Sequence, residues 1–176
     1  VYAFEPSAEN MKFLKKNILV NSASNVIAEK AAAASREGEI KLYLSEKNKG
    51  DHRIYDYAGS EKRKTETVKT LKLDDYIKSG ERVDFVKIDT QGSETEVVKG
   101  MSRIIEENQD IKLMIEFWPA GFARFGAGPG EFIDGFKKKG FKVFDIAGCS
   151  ASGRWEEKEI SEYLSEYTAE NEKLSL

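Results

Sequence analysis

Short apolar runs alternate with amphipathic stretches along the chain. The run Val1-Tyr2-Ala3-Phe4 predicts a strand, and Pro6 ends it because proline has no backbone N–H to donate to a sheet. Ser7 can cap the helix that follows. The apolar positions of that helix recur at helical spacing and are Met11, Leu14 and Ile18. The chain therefore begins with a strand, a turn that carries Glu5, and a helix.

The middle of the chain predicts strands on either side of a polar loop. Residues 25–34 are apolar and residues 40–44 alternate with period two, which predicts two strands joined by a turn at Glu37-Gly38. Residues 45–64 are polar and charged, and a loop of that length in a compact domain tends to be functional or mobile. Residues 66–71 predict a further strand.

The strongest strand signal precedes a conspicuous polar turn. Val83 to Asp89 is a nearly continuous apolar run, which is typical of a central strand, and it leads into Asp89-Thr90-Gln91-Gly92. Ser93 and Glu96 predict a capping box at the start of an amphipathic helix that reaches about Glu107.

The remaining chain continues the alternation of strands and helices. The elements predicted there are a strand over 111–117, a glycine-rich aromatic loop over 118–130, a helix that ends at Gly140, a strand over 141–146 and a helix from Glu156. This alternation predicts a single α/β domain over residues 1–176, in which helices flank a mostly parallel sheet.

In such a sheet, ligands bind beyond the carboxyl ends of the strands. The polar residues predicted to lie there are Glu5, Asp89, Gln91 and Glu116. Glu5 can accept hydrogen bonds from both hydroxyls of a ribose. Asp89 can orient a bound hydroxyl group or take its proton. His52 is the only side chain with an ordinary pKa near neutrality. Asp89 and His52 are therefore the catalytic candidates.

Composition narrows the classes of function. The 176 residues are 40% hydrophobic and 34% charged, which fits a soluble globular domain. The net charge is −3, which does not favour nucleic acid or an anionic membrane as a partner. No apolar run reaches the roughly 18 residues that a membrane span needs. Cys149 is the only cysteine, so we expect a cytoplasmic protein, and with His52 it supplies no metal-ligand cluster.

Two separated motifs resemble a known family. The first is Val1-Tyr2-Ala3-Phe4-Glu5-Pro6-Ser7-Ala8-Glu9-Asn10, and the second is Asp84-Phe85-Val86-Lys87-Ile88-Asp89-Thr90-Gln91-Gly92-Ser93-Glu94 with Val98-Lys99-Gly100. A Leu73-Asp74-Asp75-Tyr76 segment and a hydrophobic strand that ends in Glu116 match as well. In this order, over most of residues 1–146, they resemble the FkbM family of S-adenosylmethionine-dependent methyltransferases.

The resemblance implies a class I methyltransferase domain, Rossmann-like in three α/β/α layers, with S-adenosylmethionine as its cofactor. Glu5 would bind the ribose and Pro6 would wall the adenine side. The small residues of the run 31–34, Ala32 among them, would let the adenine approach the backbone. Glu94 matches the family motif, but its place in the first helical turn explains it as a structural residue.

The resemblance also indicates which molecule receives the methyl group. This acceptor is expected to be a small molecule or a glycan. Family members that methylate nitrogen usually carry an Asn/Asp-Pro-Pro-Tyr turn where this chain has Asp89-Thr90-Gln91-Gly92, so a hydroxyl oxygen of a sugar, a lipid or another small molecule is favoured. Asp51, Arg53, Gln91 and Glu116 are the candidates for contacts with this substrate. Gln91 stands where many relatives have Glu, which puts an acid–base role for this position in doubt.

Two other functions stay open. A nicotinamide-dependent oxidoreductase or epimerase also holds a ribose with an acid at a strand end, although the Tyr-x-x-x-Lys pair of this chain, Tyr43 and Lys47, begins in a strand pattern. The other is a non-catalytic relative that binds the cofactor or a partner without turnover. It is suggested because the chain lacks the Asp-x-Gly-Ala-Asn type of turn that family members carry.

In the family that glycine-rich turn follows a strand upstream of the one that begins here at Val1. We expect the natural chain to continue upstream with this strand and turn, roughly 20 residues before Glu5. The additional strand would lie between the strands that end at Glu5 and Asp89. Without it, residues 1–176 alone are expected to be marginally stable and to bind the cofactor poorly.

Overall fold

The structure is a computed structural model that describes residues 1–56, 63–122 and 128–144. It divides into two compact units, Val1–Phe117 and a second unit from Trp118 onward. The helix predicted from Glu156 and the lone Cys149 lie outside the described residues.

The first unit contains strands and helices at most of the places where the hydrophobic pattern predicts them. Its elements are β1 Tyr2–Phe4, α1 Ala8–Val20, β2 Ile27–Glu29, β3 Ala32–Ala33, β4 Gly38–Leu44, β5 Lys64–Leu71, α2 Leu73–Tyr76, β6 Phe85–Ile88, α3 Glu94–Lys99, α4 Ser102–Glu107 and β7 Lys112–Ile115. The predicted cap of α1 is confirmed, since the Ser7 side chain accepts a hydrogen bond from the Asn10 N–H.

The described strands form three ladders, most of them parallel. β1 pairs with β2 and β6 pairs with β7, both in parallel. In the third ladder β5 lies between β3, to which it is parallel, and β4, to which it is antiparallel. The predicted α/β, Rossmann-like class is confirmed, and three of the four described strand pairs are parallel, but the described strands form three separate sheets instead of one. The turn at Glu37-Gly38 does not make β3 and β4 neighbours, because β5 separates them.

One edge of β1 has no partner strand among the described residues. Val1 accepts from the Ile27 N–H and Glu5 donates to the Glu29 carbonyl, so residues 1, 3 and 5 turn their backbone groups toward β2. Backbone groups alternate in direction along a parallel strand. The N–H groups of Tyr2 and Phe4 therefore point away from β2.

The same reasoning applies to β6. Asp84 and Ile88 accept hydrogen bonds from the Lys112 and Glu116 N–H groups of the β7 side. Residues 84, 86 and 88 therefore face β7, and the N–H groups of Phe85 and Lys87 point away from it. The central position predicted for this strand is not seen among the described residues, where β7 is its single partner.

The predicted capping box at Ser93 is wrong. The Ser93 hydroxyl donates to the Thr90 carbonyl at 3.0 Å instead of capping α3. Glu96, which should complete the box, accepts from the Ser35 hydroxyl at 2.5 Å and from Lys99 at 2.7 Å. A tertiary contact has therefore replaced the local one.

The single helix predicted up to Glu107 is two helices that break at Gly100 and Met101. A Cβ at Gly100 would overlap the Ala34 carbonyl oxygen, so this position brings α3 against the chain between β3 and β4. Met101 is fully buried at the break. The buried apolar residues around it include Ile88, Val97, Ile104 and Ile105.

The second unit is described in part, by two helices, α5 Pro119–Phe122 and α6 Pro129–Lys138. Phe122 is fully buried, and its ring lies 4.7 Å from that of Phe132. The strand predicted over 141–146 is wrong for residues 141–144, which follow α6 without regular structure, and residues 145–146 lie outside the description. Among the described helices, none combines the length and apolar character that crossing a bilayer would take.

Candidate functional site

A cleft of about 870 Å³ opens in the first unit at the free edges of β1 and β6. This volume lies within the range of small-molecule sites in proteins. Residues 1–6 border one side and residues 81–91 border the other. The predicted site residues that line it are Glu5, Pro6, Ala32, His52, Asp89 and Gln91. The two strand-end carboxylates, Glu5 and Asp89, therefore meet one cleft, as the parallel strands predict.

Glu5 is half-buried at the end of β1. Its Oε1 accepts the Ser7 N–H at 2.8 Å, so the backbone turn at Pro6 orients the carboxylate. Burial raises the pKa of Glu5, and the negative charge of Glu66 raises it further. The Ser7 hydrogen bond lowers this pKa and offsets part of the increase. The Ser7 N–H and the Asn10 side chain already hydrogen-bond this carboxylate, and a pair of hydroxyl groups can supply further donors to its remaining lone pairs.

Pro6 and Ala32 supply small or rigid apolar surface beside Glu5. Both residues line the cleft, and the Ala32 side chain is buried next to Leu42 and Val68. A larger side chain at Ala32 would have to displace these neighbours. The predicted approach of a flat ring to the backbone at this point is therefore compatible with the packing.

Gln91 joins two carboxyl groups at the opposite end of the cleft. Its Nε2 donates to Asp89 Oδ1 at 3.1 Å and to Glu116 Oε2 at 2.9 Å. The Gln91 backbone adopts a φ of 55°, in the left-handed region, which turns the side chain back toward the strand ends. The sequence predicts all three residues at this edge but does not predict the clamp.

The two carboxyl groups differ in proton affinity. The Lys87 ammonium, 2.9 Å from Asp89, lowers the pKa of Asp89, and the Gln91 amide contributes in the same direction. Burial raises the pKa of Glu116, and the negative charges of Asp89 and Glu94 raise it further. Of the pair, Asp89 stays ionised and Glu116 is the stronger base.

Glu94 holds the turn over residues 90–92 in place through hydrogen bonds. It is fully buried, and its Oε1 accepts from the Thr90 N–H at 2.9 Å, the Thr90 hydroxyl at 3.2 Å and the Gly92 N–H at 3.1 Å. The structural role expected for Glu94 thus goes beyond a helix cap. It fixes the turn that carries Gln91.

Residues 48–55 cross from α1 to the Gln91 turn, and we call this segment the strap. At one end Asn10 donates to the Lys49 carbonyl at 2.9 Å. At the other end the Tyr55 hydroxyl donates to the Gln91 carbonyl at 2.9 Å. Sequence reasoning missed Tyr55; its signal is an aromatic residue within an otherwise polar loop.

Asp51 and Arg53, two of the predicted substrate contacts, lie in the strap and bind each other. Arg53 Nε donates to Asp51 Oδ1 at 2.6 Å, and Arg63 donates to Asp51 Oδ2 at 2.6 Å. Burial opposes the ionisation of Asp51, but the hydrogen bonds from the two guanidinium groups outweigh it and lower the pKa of Asp51. A direct contact of Asp51 with substrate would have to compete with this ion-pair network.

His52 lies between these groups, with its ring against the end of β4. Its Nδ1 accepts the Ser45 N–H at 3.0 Å. Burial lowers the pKa of His52, and the positive charges of Lys49 and Arg63 lower it further, against the carboxylates of Glu9 and Asp51. The neutral ring is therefore the form present near neutral pH.

Two other kinds of site, a metal site and an oxidoreductase pair, were also compared with the described part of the chain. No group of three or more potential metal ligands occurs among the described residues. Tyr43 lies in β4, so Tyr43 and Lys47 do not share a helix face as an oxidoreductase pair would.

Comparison with known proteins identifies the family to which this chain belongs. The model of the methyltransferase FkbM domain matches residues 1–143. Among curated proteins, none matches this sequence. The crystal structure of methyltransferase FkbM from Methylobacillus flagellatus KT is similar at 20% identity and a TM-score of 0.46, over 66% of this chain and 25% of that one. This chain thus spans about a quarter of that protein's length. Because the family model matches well over half of its residues, the chain belongs to the FkbM methyltransferase family.

Proposed function

We propose that this chain takes part in S-adenosylmethionine-dependent methyl transfer to a hydroxyl oxygen of a small molecule or glycan. One observation carries the proposal: Glu5 and Asp89, at the ends of two separate parallel strands, line the same cleft. Membership of the family makes methyl transfer the activity to test. The cofactor and the acceptor atom are inferred from the chemistry of the cleft.

The residues on the Glu5 side fit the adenosine part of the cofactor. The carboxylate of Glu5 would accept from the ribose hydroxyls through the lone pairs that Ser7 and Asn10 leave available. Pro6 and Ala32 would contact the adenine, where a flat apolar ring needs close approach. When bound, the cofactor supplies a methyl group already activated on a sulfonium.

The residues on the Asp89 side fit an acceptor hydroxyl. As the acceptor oxygen forms its bond to carbon, it must lose its proton, and the Asp89–Glu116 pair is the proton acceptor at this end of the cleft. Asp89 would orient the hydroxyl as an ionised acceptor, and Glu116, the stronger base, would hold the proton. Gln91 keeps the pair together.

The strap would form the acceptor side of the site. It carries His52 in the cleft and the Asp51–Arg53 pair beside it. Arg53 and Arg63 each donate a hydrogen bond to one carboxylate oxygen of Asp51. Asp51 and Arg53 would therefore affect substrate binding through the shape and polarity that they give the strap.

Calorimetry with S-adenosylhomocysteine tests the cofactor. We expect binding of this compound and none of NADH. Glu5→Gln should weaken the binding by about 1 to 3 kcal/mol, because it replaces hydrogen bonds to a charged group. Glu37→Gln is the matched control, since Glu37 is exposed in the turn before β4 and does not line the cleft. Equal affinity in both variants would remove Glu5 from the ribose site, and preferential NADH binding would overturn the proposal.

Transfer of a radiolabelled methyl group from S-adenosylmethionine to a panel of monosaccharides, glycerol and hydroxy acids tests the acceptor. Asp89→Asn should lower the rate roughly 10²- to 10⁴-fold, the scale of a disabled acid–base group, because the ionised Asp89 orients the hydroxyl toward the pair that takes its proton. Asp110→Asn, at an exposed turn before β7, should leave it unchanged. Methylation of amines in place of hydroxyls would contradict the oxygen assignment.

A further inference from the structure

The His52 ring is held in place by a hydrogen bond from the buried backbone N–H of Ser45. Ser45 is buried at the end of β4, and a buried backbone N–H must find an acceptor. That acceptor is His52 Nδ1, at 3.0 Å. The lone pair of Nδ1 is therefore engaged by the main chain.

The backbone next to His52 holds the ring in this place. Tyr43 and Arg53 exchange two backbone hydrogen bonds, with the Tyr43 N–H donating at 2.7 Å and the Arg53 N–H donating at 3.1 Å. This bridge fixes the strap beside the last residues of β4. Rotation of the imidazole away from Ser45 would leave the Ser45 N–H buried and unpaired.

A neutral imidazole has one N–H and one lone pair. Because Nδ1 offers its lone pair to Ser45, the proton lies on Nε2. We propose that His52 is held as the Nε2–H tautomer and donates this hydrogen to a lone-pair atom of the acceptor molecule, instead of taking that molecule's proton. The tautomer follows from the Ser45 contact alone, whereas the identity of the bound molecule rests on the proposed function.

The charges around the ring agree with this assignment. Lys49 and Arg63 lower the pKa of His52 beyond the effect of burial, and Glu9 and Asp51 oppose them only in part. Lys49 is itself paired with Glu9 at 3.0 Å. The neutral donor is therefore available over the physiological pH range, and the ring has no free lone pair to act as a base.

The position of the strap indicates what His52 contacts. Its two ends are tied to α1 beside Glu5 and to the Gln91 turn beside Asp89, so His52 lies between the cofactor side and the proton-accepting side of the cleft. An N–H donor there selects an acceptor with a second oxygen or a ring nitrogen near the reacting hydroxyl, as in a sugar or a hydroxy acid, and disfavours an ammonium group.

Nitrogen-15 NMR tests the tautomer directly, because the chain contains one histidine and its ring gives a single pair of signals. At pH 7.5 we expect a pyrrole-type Nε2 and a pyridine-type Nδ1, and on acidification a midpoint below that of a free histidine. A pyridine-type Nε2, or an equal mixture of tautomers, would overturn the proposal whether or not the protein transfers methyl groups.

Two variants separate donation from proton abstraction. His52→Gln keeps an amide donor near the Nε2 position, whereas His52→Asn keeps an oxygen for Ser45 but cannot reach the cleft. With the hydroxyl compound of the panel that accepts a methyl group best, Asn should lower kcat/KM roughly 3- to 30-fold and Gln should recover most of the loss. If His52 were a general base, both variants would lose roughly 10²- to 10⁴-fold. Binding of S-adenosylhomocysteine is measured in both variants as well. If both still bind it, a roughly 10²- to 10⁴-fold loss in both overturns the proposed role of His52 and leaves the cofactor assignment untouched.

Discussion

At the scale of single residues, Glu94 shows how a buried charge can build a site that it does not line. Its Oε1 collects three donors from Thr90 and Gly92, and these hydrogen bonds fix the turn from which Gln91 reaches Asp89. These three donors offset the cost of burying Oε1, whereas Oε2 is buried without a hydrogen-bond partner among the described residues. The geometry of the cleft therefore depends on a residue outside it.

Glu94→Ala should destabilise the first unit by about 3 kcal/mol, because it leaves the buried Gly92 N–H and the half-buried Thr90 N–H and hydroxyl without their acceptor. Glu94→Gln should cost less, since an amide oxygen can replace Oε1. Urea unfolding measures both values, with Glu37→Ala as the exposed control. A Glu94→Ala cost no larger than that of Glu37→Ala would show that the turn holds without its carboxylate.

At the scale of elements, α2 and α4 are joined through one aspartate. Asp74 in α2 is buried, and its carboxylate accepts from the Arg103 N–H at 3.0 Å and the Ile104 N–H at 3.0 Å at the start of α4. The Ser102 hydroxyl adds a third hydrogen bond at 3.2 Å. α4 is thus capped from another element, which is why its own N-cap position, Met101, can be apolar and buried.

Asp74→Ala should lower the free energy of unfolding by about 2 kcal/mol, the upper range for the loss of a helix cap. Asp75→Ala is the matched control, because Asp75 is the next residue and is exposed. Chemical denaturation followed by circular dichroism compares the two. Equal effects would mean that α4 keeps its first turn without Asp74.

The elements also show which parts of the fold local sequence can predict. β1 and α1 were predictable because Pro6 and Ser7 act on their immediate neighbours. The Ser93 capping box failed because Ser35, far away in sequence, offers Glu96 a better partner. The place of β5 between β3 and β4 depends on long-range pairing, for which a period-two pattern has no information.

At the scale of the whole molecule, the ladders leave two edges facing one cleft. The N–H groups directed away from β2 and β7 are those of Tyr2, Phe4, Phe85 and Lys87, and all four residues line the cleft. Free edges also exchange their amide hydrogens readily.

Hydrogen exchange of residues 1–176 should therefore show alternating protection along β1 and β6. The amides of Ala3 and Val86, which face their ladder partners, should exchange more slowly than those of Tyr2, Phe4, Phe85 and Lys87. Full protection of all four in the 176-residue chain would contradict the free edges.

The candidate site was predictable in its outline and not in its contacts. The rule that ligands bind beyond the carboxyl ends of parallel strands was enough to expect Glu5 and Asp89 at one site, and both line the cleft. The Gln91 clamp, the Tyr55 tie and the Ser45–His52 hydrogen bond join residues from separate loops. Such contacts depend on side-chain geometry in three dimensions, and neither spacing nor periodicity encodes them.

The left-handed backbone of Gln91 sets a boundary on how this protein can evolve. A non-glycine residue at a φ of 55° carries about 1 kcal/mol of conformational cost, which glycine would not. Selection for stability alone would therefore favour glycine at position 91, and each such replacement would release Asp89 and Glu116 from their shared amide. Retaining an amide at position 91 in place of glycine therefore keeps the two carboxyl groups paired, which a glutamate, having no N–H to donate, would not do.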